Sequence, residues 1–211
     1  YWIWKNILKN MNANDWIGTC HYRRFWLNNL YNNKQKLSMS SLYSNLLKLD
    51  NKVFSRCDAI QVQPTTFKNE TIFQQFNKVH GQNILDTCIN FLEINERDAF
   101  TEFLYGNNLS HTIFITKVHL FEKYCESLFP WLKKCYEYCI KNDLCKGNNS
   151  RLPAFLMERY ASYWLKKNIK NKEYLSYARV GNLMRSNNLN KFINPMKIPF
   201  TFRMYPTLHR Y

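Results

Sequence analysis

Apolar positions recur along this chain in two rhythms, and each change of rhythm marks an element. The longest regular run is Phe121, Cys125, Leu128, Leu132, Cys135 and Cys139, stepping alternately by four and three, which is the buried stripe of a long helix. Pro130 inside it predicts a kink. A second long helix is predicted from Pro153, a residue suited to a first helical turn, to about Asn168, with Phe155, Leu156, Met157, Tyr160, Tyr163, Trp164 and Leu165. Ile72, Phe76 and Val79 share one side of a predicted helix over 71–80 that ends in His80, and further helical patterns run over 83–94 and 98–103. Ser40-Ser41 can cap a helix reaching about Leu49, with Leu42, Leu46 and Leu49 on one side. Residues 1–10 read as the end of a helix; Trp2, Ile3 and Trp4 are adjacent, so that helix is expected to be buried around much of its girth.

Between the helical stretches lie short runs of strand type. Trp16, Ile17, Thr19, Cys20 and Tyr22 suit a pleated, buried ribbon, with Gly18 allowing another backbone to come close. Its few polar positions predict a parallel strand covered on both faces. In Asp58–Pro64, Ile60 and Val62 alternate with Gln61 and Gln63, predicting one apolar and one polar face. His111–Val118 is the strongest strand pattern, and residues 174–180 form a last short one. Strands alternating with helices predict an α/β fold. The chain has no internal repeat.

Composition narrows the class. A chain of 211 residues supports one domain with a real core, and 45% hydrophobic with 17% aromatic residues excludes a disordered chain. We expect one domain over 1–186 and a basic extension over 187–211, where Pro195, Pro199 and Pro206 interrupt any helix. The chain opens without Met, within a helical pattern, and is expected to lack a first strand. Net charge is +15, divided as +7 over 1–57, −1 over 58–165 and +9 over 166–211. Two basic ends around a neutral middle would attract a diphosphate, an anionic membrane surface or nucleic acid. The seven cysteines include no Cys-x-x-Cys pair, predicting reduced thiols and a cytoplasmic protein. No apolar run approaches the roughly 18 residues that a membrane span needs.

Candidate chemistry gathers at His21-Tyr22-Arg23-Arg24, directly after the first strand pattern. In open α/β sheets ligands sit beyond the carboxyl ends of strands, and guanidiniums there can clamp phosphate. Glu158-Arg159 lies inside an apolar helix, so the carboxylate must be paired or shifted in pKa. It reads either as a general base or acceptor-binding acid, or as an ion pair tying the helix to Arg23 or Arg24. No Asp-x-Asp occurs, and Glu96-Arg97-Asp98 reads as a helix start.

Two of these stretches carry a resemblance. Tyr1-Trp2-Ile3-Trp4-Lys5-Asn6 followed by Cys20-His21-Tyr22-Arg23-Arg24-Phe25 resembles a bacterial family of capsular or surface polysaccharide glycosyltransferases, long catalogued as a domain of unknown function. The resemblance continues in Asp58 to Pro64, in a Gln-x-x-x-x-His ending at His80, in Thr112-Ile113-Phe114-Ile115 where relatives carry Asn in place of Thr112, and in Phe155-Leu156-Met157-Glu158-Arg159. It implies a nucleotide-sugar-binding domain of GT-A type, a Rossmann-like sheet flanked by helices and incomplete at its start. It implies further that Glu158 and His21 are catalytic, that His21, Tyr22, Arg23, Arg24, Lys5 and Asn6 hold the donor diphosphate, and that Asp58, His80, Thr112 and Arg159 contact substrate. The bland readings stand beside these: capping for Lys5 and Asn6, a turn acid for Asp58, and a helix C-terminus for His80.

The expected reaction is transfer of a sugar from a nucleotide sugar to a surface polysaccharide or lipid-linked glycan. It is expected without a divalent metal, because cationic donors can stabilise a departing diphosphate. The expected place is the cytoplasm, at the inner face of the membrane. The alternatives are a non-catalytic scaffold of the same family, or a basic nucleic-acid-binding module. Against the last, no recognition-helix, zinc or RNA-binding motif is present, and the aromatics follow core periodicity.

Overall fold

The computed structural model describes residues 1–20, 24–28, 39–48 and 50–179. His21, Tyr22, Arg23, Leu49 and the expected extension over 187–211 lie outside them.

The chain begins with α1 (Trp2–Asn6), a five-residue helix with no buried residue. This corrects the expectation of a buried helix. α1 docks through only part of its surface: Trp4 stacks on Phe129 with 5.5 Å between ring centroids and Tyr1 meets the same ring edge-on, while Tyr1, Trp2 and Ile3 remain exposed. β1 (Trp16–Gly18) follows, then β2 (Arg24–Trp26) and α2 (Met39–Ser44). α2 is shorter than the capped helix expected to reach Leu49, and Leu46 instead bridges to Leu27. α3 (Val53–Arg56) leads into β3 (Ala59–Val62), and β4 (Thr65–Thr66) lies beyond Pro64.

The middle of the chain is helical. α4 (Ile72–His80) opens with a capping box in which Thr71 Oγ1 accepts from the Gln74 amide and the Gln74 side chain accepts from the Thr71 amide. Its buried arc is Ile72, Phe76, Asn77 and His80; Val79, expected inside, is 53% exposed because the arc is centred on Phe76 and His80. α5 (Ile84–Ile89) and α6 (Ile94–Leu104) follow, with Glu96 in the first turn of α6. β5 (Asn108–Leu109) pairs antiparallel with β4. β6 (Phe114–Lys117) runs directly into α7 (Val118–Lys141), a helix that continues through Pro130. α8 (Leu152–Asn168) is succeeded by β7 (Lys172–Leu175) and β8 (Tyr177–Arg179), two strands where one was expected, separated by Ser176.

The main sheet has the order β1-β6-β3-β7. β6 is antiparallel to both β1 and β3, whereas β3 and β7 are parallel. β1, β3 and β7 therefore run one way and β6 the other. β1 is not the parallel strand covered on both faces that its apolar run predicted. It is a three-residue edge strand, antiparallel to β6 and only half-buried. Gly18 does serve a close approach, for a Cβ there would lie 2.9 Å from Cγ1 of Ile115. β3 departs from expectation too. All four residues are buried, Gln61 included, because both faces of this central strand are covered, by the large core on the side of Ala59 and by the cluster with Val53 and Cys57 on the side of Ile60.

Pleating sends alternate residues to opposite faces of the sheet. Ala59 and Phe114 join the large core built by α4–α8, in which Phe100, Trp131 and Tyr160 make edge and stacked ring contacts. Ile60, Ile115 and Leu175 face a smaller cluster with Val53, Cys57, Trp16 and Phe54. The α7 stripe is buried as its spacing predicts, except that Leu132 is only partly covered and Trp131 is buried beside it. None of the seven cysteines is paired in a disulfide.

Candidate functional site

Strand direction decides where the chemistry collects. The carboxyl ends of β1, β3 and β7 lie at one edge of the sheet, together with the amino end of the reversed strand β6. There Thr19, just past β1, locks onto the approach to β6. Its Oγ1 donates to the Thr112 carbonyl at 2.6 Å, and its amide donates to the Phe114 carbonyl at 2.8 Å. His111 stands one residue before Thr112.

Immediately beyond β1 and β7 the chain forms a second ribbon, β2 against β8, with Arg24 opposite Arg179 and Trp26 opposite Tyr177. Arg24 holds its guanidinium 4.8 Å from the Tyr177 ring centroid, and the His111 ring meets the same tyrosine edge-on at 6.4 Å. The Cys20 thiol donates to the Arg24 carbonyl, Sγ to O 2.7 Å, so the residues flanking His21, Tyr22 and Arg23 are in contact.

α8 presents Glu158 and Arg159 to this edge. Glu158 Oε1 lies 3.1 Å from His111 Nδ1, and Oε2 accepts from Arg159 Nη1 at 3.2 Å. Burial pushes the Glu158 carboxyl up, but the hydrogen bond from His111 and the charges of Arg159, His111 and Arg24 together bring it below the ordinary glutamate range. Arg159 is 3% exposed. It donates through Nη2 to Gln75 Oε1 at 2.5 Å and through Nη1 to the Phe155 carbonyl, while its Nε is buried without a partner among the described residues.

His80 lies behind this pair. Its ring stacks on Phe155 at 4.4 Å, and Nδ1 is 2.9 Å from Asn149 Oδ1, whose amide donates back to the His80 carbonyl. Burial holds the His80 imidazole below its ordinary range, and the nearby Arg159 charge adds to that effect.

The fold thus brings together Arg24, Thr112, Glu158, Arg159 and His80 from the expected set. His21, Tyr22 and Arg23 lie outside the described residues. Asp58 is placed elsewhere: it precedes β3 at the opposite edge and pairs with Lys117 at 3.1 Å. Lys5 sits 3.4 Å over the Trp4 ring, and Asn6 Nδ2 donates to the Trp2 carbonyl one turn back in α1 at 2.9 Å. The sequence assigned no role to His111, Tyr177 or Gln75, although Gln75 opens the motif that ends at His80. Among the described residues no group of three or more His, Cys, Asp and Glu is placed to hold a metal ion. No helix there is long and apolar enough to cross a membrane.

A mixed sheet flanked by helices, with charged groups collected beyond the strand ends, is an α/β architecture that takes its ligands at that edge. The apo structure of the bifunctional glycosyltransferase WbbM matches with a TM-score of 0.59 at 15% identity, over 85% of this chain and 35% of that one. The likeness shows a glycosyltransferase-like fold, and the chain spans about a third of that protein. Residues 1–172 match the model of the domain of unknown function DUF4422, and the chain belongs to that family. No curated protein matches it.

Proposed function

We propose that this domain transfers a sugar from a nucleotide-sugar donor to a surface polysaccharide or lipid-linked glycan. The observation that carries the reading is the convergence of Glu158, His111, Arg159 and Arg24 at the strand-end edge of a glycosyltransferase-like fold. Transfer needs a group that manages the acceptor proton and a positive field for the diphosphate that leaves. Arg24 supplies charge, and His21, Tyr22 and Arg23 precede it in the chain. Proton handling centres on the Glu158–His111 pair, with His21 as a further candidate, while Thr112, Arg159 and His80 shape the substrate side. The chain contains no Asp-x-Asp pair, and its arginines offer an alternative to a divalent ion, so the reaction is proposed to be metal-independent. It is proposed to run on the cytoplasmic side of a membrane. The exposed Tyr1 and Trp2, with Lys5 near the Tyr1 ring, offer such a surface an apolar and basic contact.

The test is thermal unfolding against a panel of nucleotide sugars, with and without EDTA. A ligand at about 100 times its dissociation constant stabilises by about 2.7 kcal/mol. The expected result is a shift selective for one nucleotide sugar, retained in EDTA and lost in Arg24→Ala. No shift with any nucleotide sugar would overturn the reading. A shift abolished by EDTA and restored by manganese would overturn metal independence alone. Binding without turnover would favour the scaffold alternative.

A further inference from the structure

Resting on the transferase reading above, we propose that His111 is the catalytic base for the acceptor hydroxyl and that Glu158 acts through it as a positioning residue. A carboxylate only accepts hydrogen bonds, so the 3.1 Å contact between Glu158 Oε1 and His111 Nδ1 assigns the proton to Nδ1. That leaves the lone pair on Nε2, the nitrogen turned away from the carboxylate. The second Glu158 oxygen is occupied by Arg159, whose guanidinium is itself fixed by Gln75 and the Phe155 carbonyl. Both carboxylate oxygens are thus committed, whereas one imidazole nitrogen is not committed by that pair.

The surroundings fix the imidazole without burying it. Its backbone neighbour Thr112 is pinned by Thr19, and its ring edge meets Tyr177, whose ring also carries Arg24. The His111 side chain is 28% exposed and that of Glu158 24%, so a substrate hydroxyl can reach the imidazole. Among the described residues, the other charged or titratable groups facing the pair are Arg24 from β2, Arg159 from α8, Tyr177 from β8 and, behind Arg159, His80 from α4.

In the proposed step the acceptor oxygen attacks the anomeric carbon as the bond from that carbon to the diphosphate oxygen breaks. The bonding pair leaves on the diphosphate, which Arg24 faces. The hydroxyl proton passes to His111 Nε2, and Glu158 stabilises the imidazolium. Direct displacement of this kind inverts the anomeric configuration.

The experiment uses the full chain, the nucleotide sugar that the unfolding panel selects, and octyl glycosides or water as acceptor, with nucleoside diphosphate release as the readout. His111→Asn is the informative variant, because an asparagine amide reproduces the Nδ1–H donor to Glu158 but offers no base. The expected result is a fall in kcat of about 10²–10⁴-fold with donor KM unchanged and loss of the acidic limb of the pH–rate profile. Glu158→Gln is expected to move that limb to lower pH, since a neutral amide no longer stabilises the imidazolium. A merely structural His111 would be rescued by asparagine, so turnover within about threefold of wild type overturns the base assignment. Product stereochemistry by NMR gives a check that needs no variant: a retained anomeric configuration overturns it as well. A wild-type chain that binds no nucleotide sugar removes the transferase reading and this inference with it. Normal transfer with an active His111→Asn removes only the inference.

Discussion

Two carboxylates in this protein are built almost alike and are placed to do different things. Glu96, in the first turn of α6, accepts from the Tyr160 hydroxyl at 3.2 Å and from Lys167 Nζ at 2.5 Å. Glu158, on α8, accepts from His111 and Arg159. Each ties two elements together, and their side chains are 26% and 24% exposed. The difference lies in the partners. A lysine and a tyrosine keep their protons near neutral pH, and the Tyr160 hydroxyl is pushed higher still, chiefly by burial. A histidine has a second ring nitrogen that can take up a proton while the first stays bonded to the carboxylate. The Glu96 pair closes a helix–helix junction above an aromatic core, whereas the Glu158 pair faces the strand-end edge beside Arg24. A carboxylate becomes a candidate for chemistry through what its partner can exchange, more than through its own burial.

The largest effect expected on the structural side comes from Tyr160, which is 1% exposed and packed against Phe100, Trp131 and Tyr163. Tyr160→Ala is expected to cost about 3–5 kcal/mol in urea unfolding through the cavity it leaves. Tyr160→Phe removes only the bond to Glu96 and is expected to cost about 1 kcal/mol. Donor affinity of the folded Tyr160→Phe protein should match wild type. A selective loss of donor binding there would erase the distinction between the two carboxylates.

On the chemical side the pattern reverses. Arg24→Ala is expected to lower turnover by about 10²–10³-fold, the scale of losing one preorganised donor to developing charge. Its guanidinium rests on Tyr177 at the rim, so stability should change by no more than about 0.5–1 kcal/mol. Paired transfer kinetics and urea melts read both numbers. A large stability loss with proportionate turnover would make Arg24 a structural cation like Lys167.

Acid titration separates the carboxylates by a smaller effect. The Glu158 carboxyl is lower in the fold than its ordinary value of 4.5. Its contribution to stability is therefore present above that value and lost as pH falls through the lower folded value. Glu158→Gln should accordingly be less stable than wild type near neutral pH, because buried Arg159 loses its counter-charge. The gap should narrow as pH falls below 4.5 and close at a pH below the lowered folded value, where the wild-type carboxyl is protonated too. Urea melts across that range check it; a gap that stays constant would mean that the Glu158 charge does not stabilise the fold.

The helices were the most legible elements, because a buried stripe needs only its own sequence to declare itself. Phe121, Cys125, Leu128, Cys135 and Cys139 are all buried as their spacing predicts. The strands were legible as apolar runs but not in direction. Nothing local to Trp16–Gly18 or Phe114–Lys117 says that the two pair antiparallel, since that is decided by chain connections and by packing across the sheet. His111 was missed for this reason. It lies at the amino end of its strand, which becomes part of the strand-end edge only once β6 is known to run backwards. Glu158 was legible because a carboxylate within an apolar helix demands a partner, although the partner turned out to be His111 and Arg159, with Arg24 contributing at longer range. α1 misled because three adjacent apolar residues promise burial that a five-residue helix with one aromatic docking surface does not provide.

Asp58 gives the smallest and most discriminating test of the comparison, because it is a third carboxylate on the wrong side of the sheet. It stands before β3, at the edge opposite Glu158, and its Oδ1 pairs with Lys117 at 3.1 Å with side chains 43% and 28% exposed. An exposed pair of this kind contributes about 0–1 kcal/mol, screened further by salt. Asp58→Asn is therefore expected to shift stability by less than about 1 kcal/mol, less still in high salt, and to leave donor KM and kcat within about twofold. If donor KM instead rises tenfold or more with stability unchanged, substrate reaches the opposite edge of the sheet. The strand-end convergence of Arg24, His111 and Glu158 would then describe only part of the site.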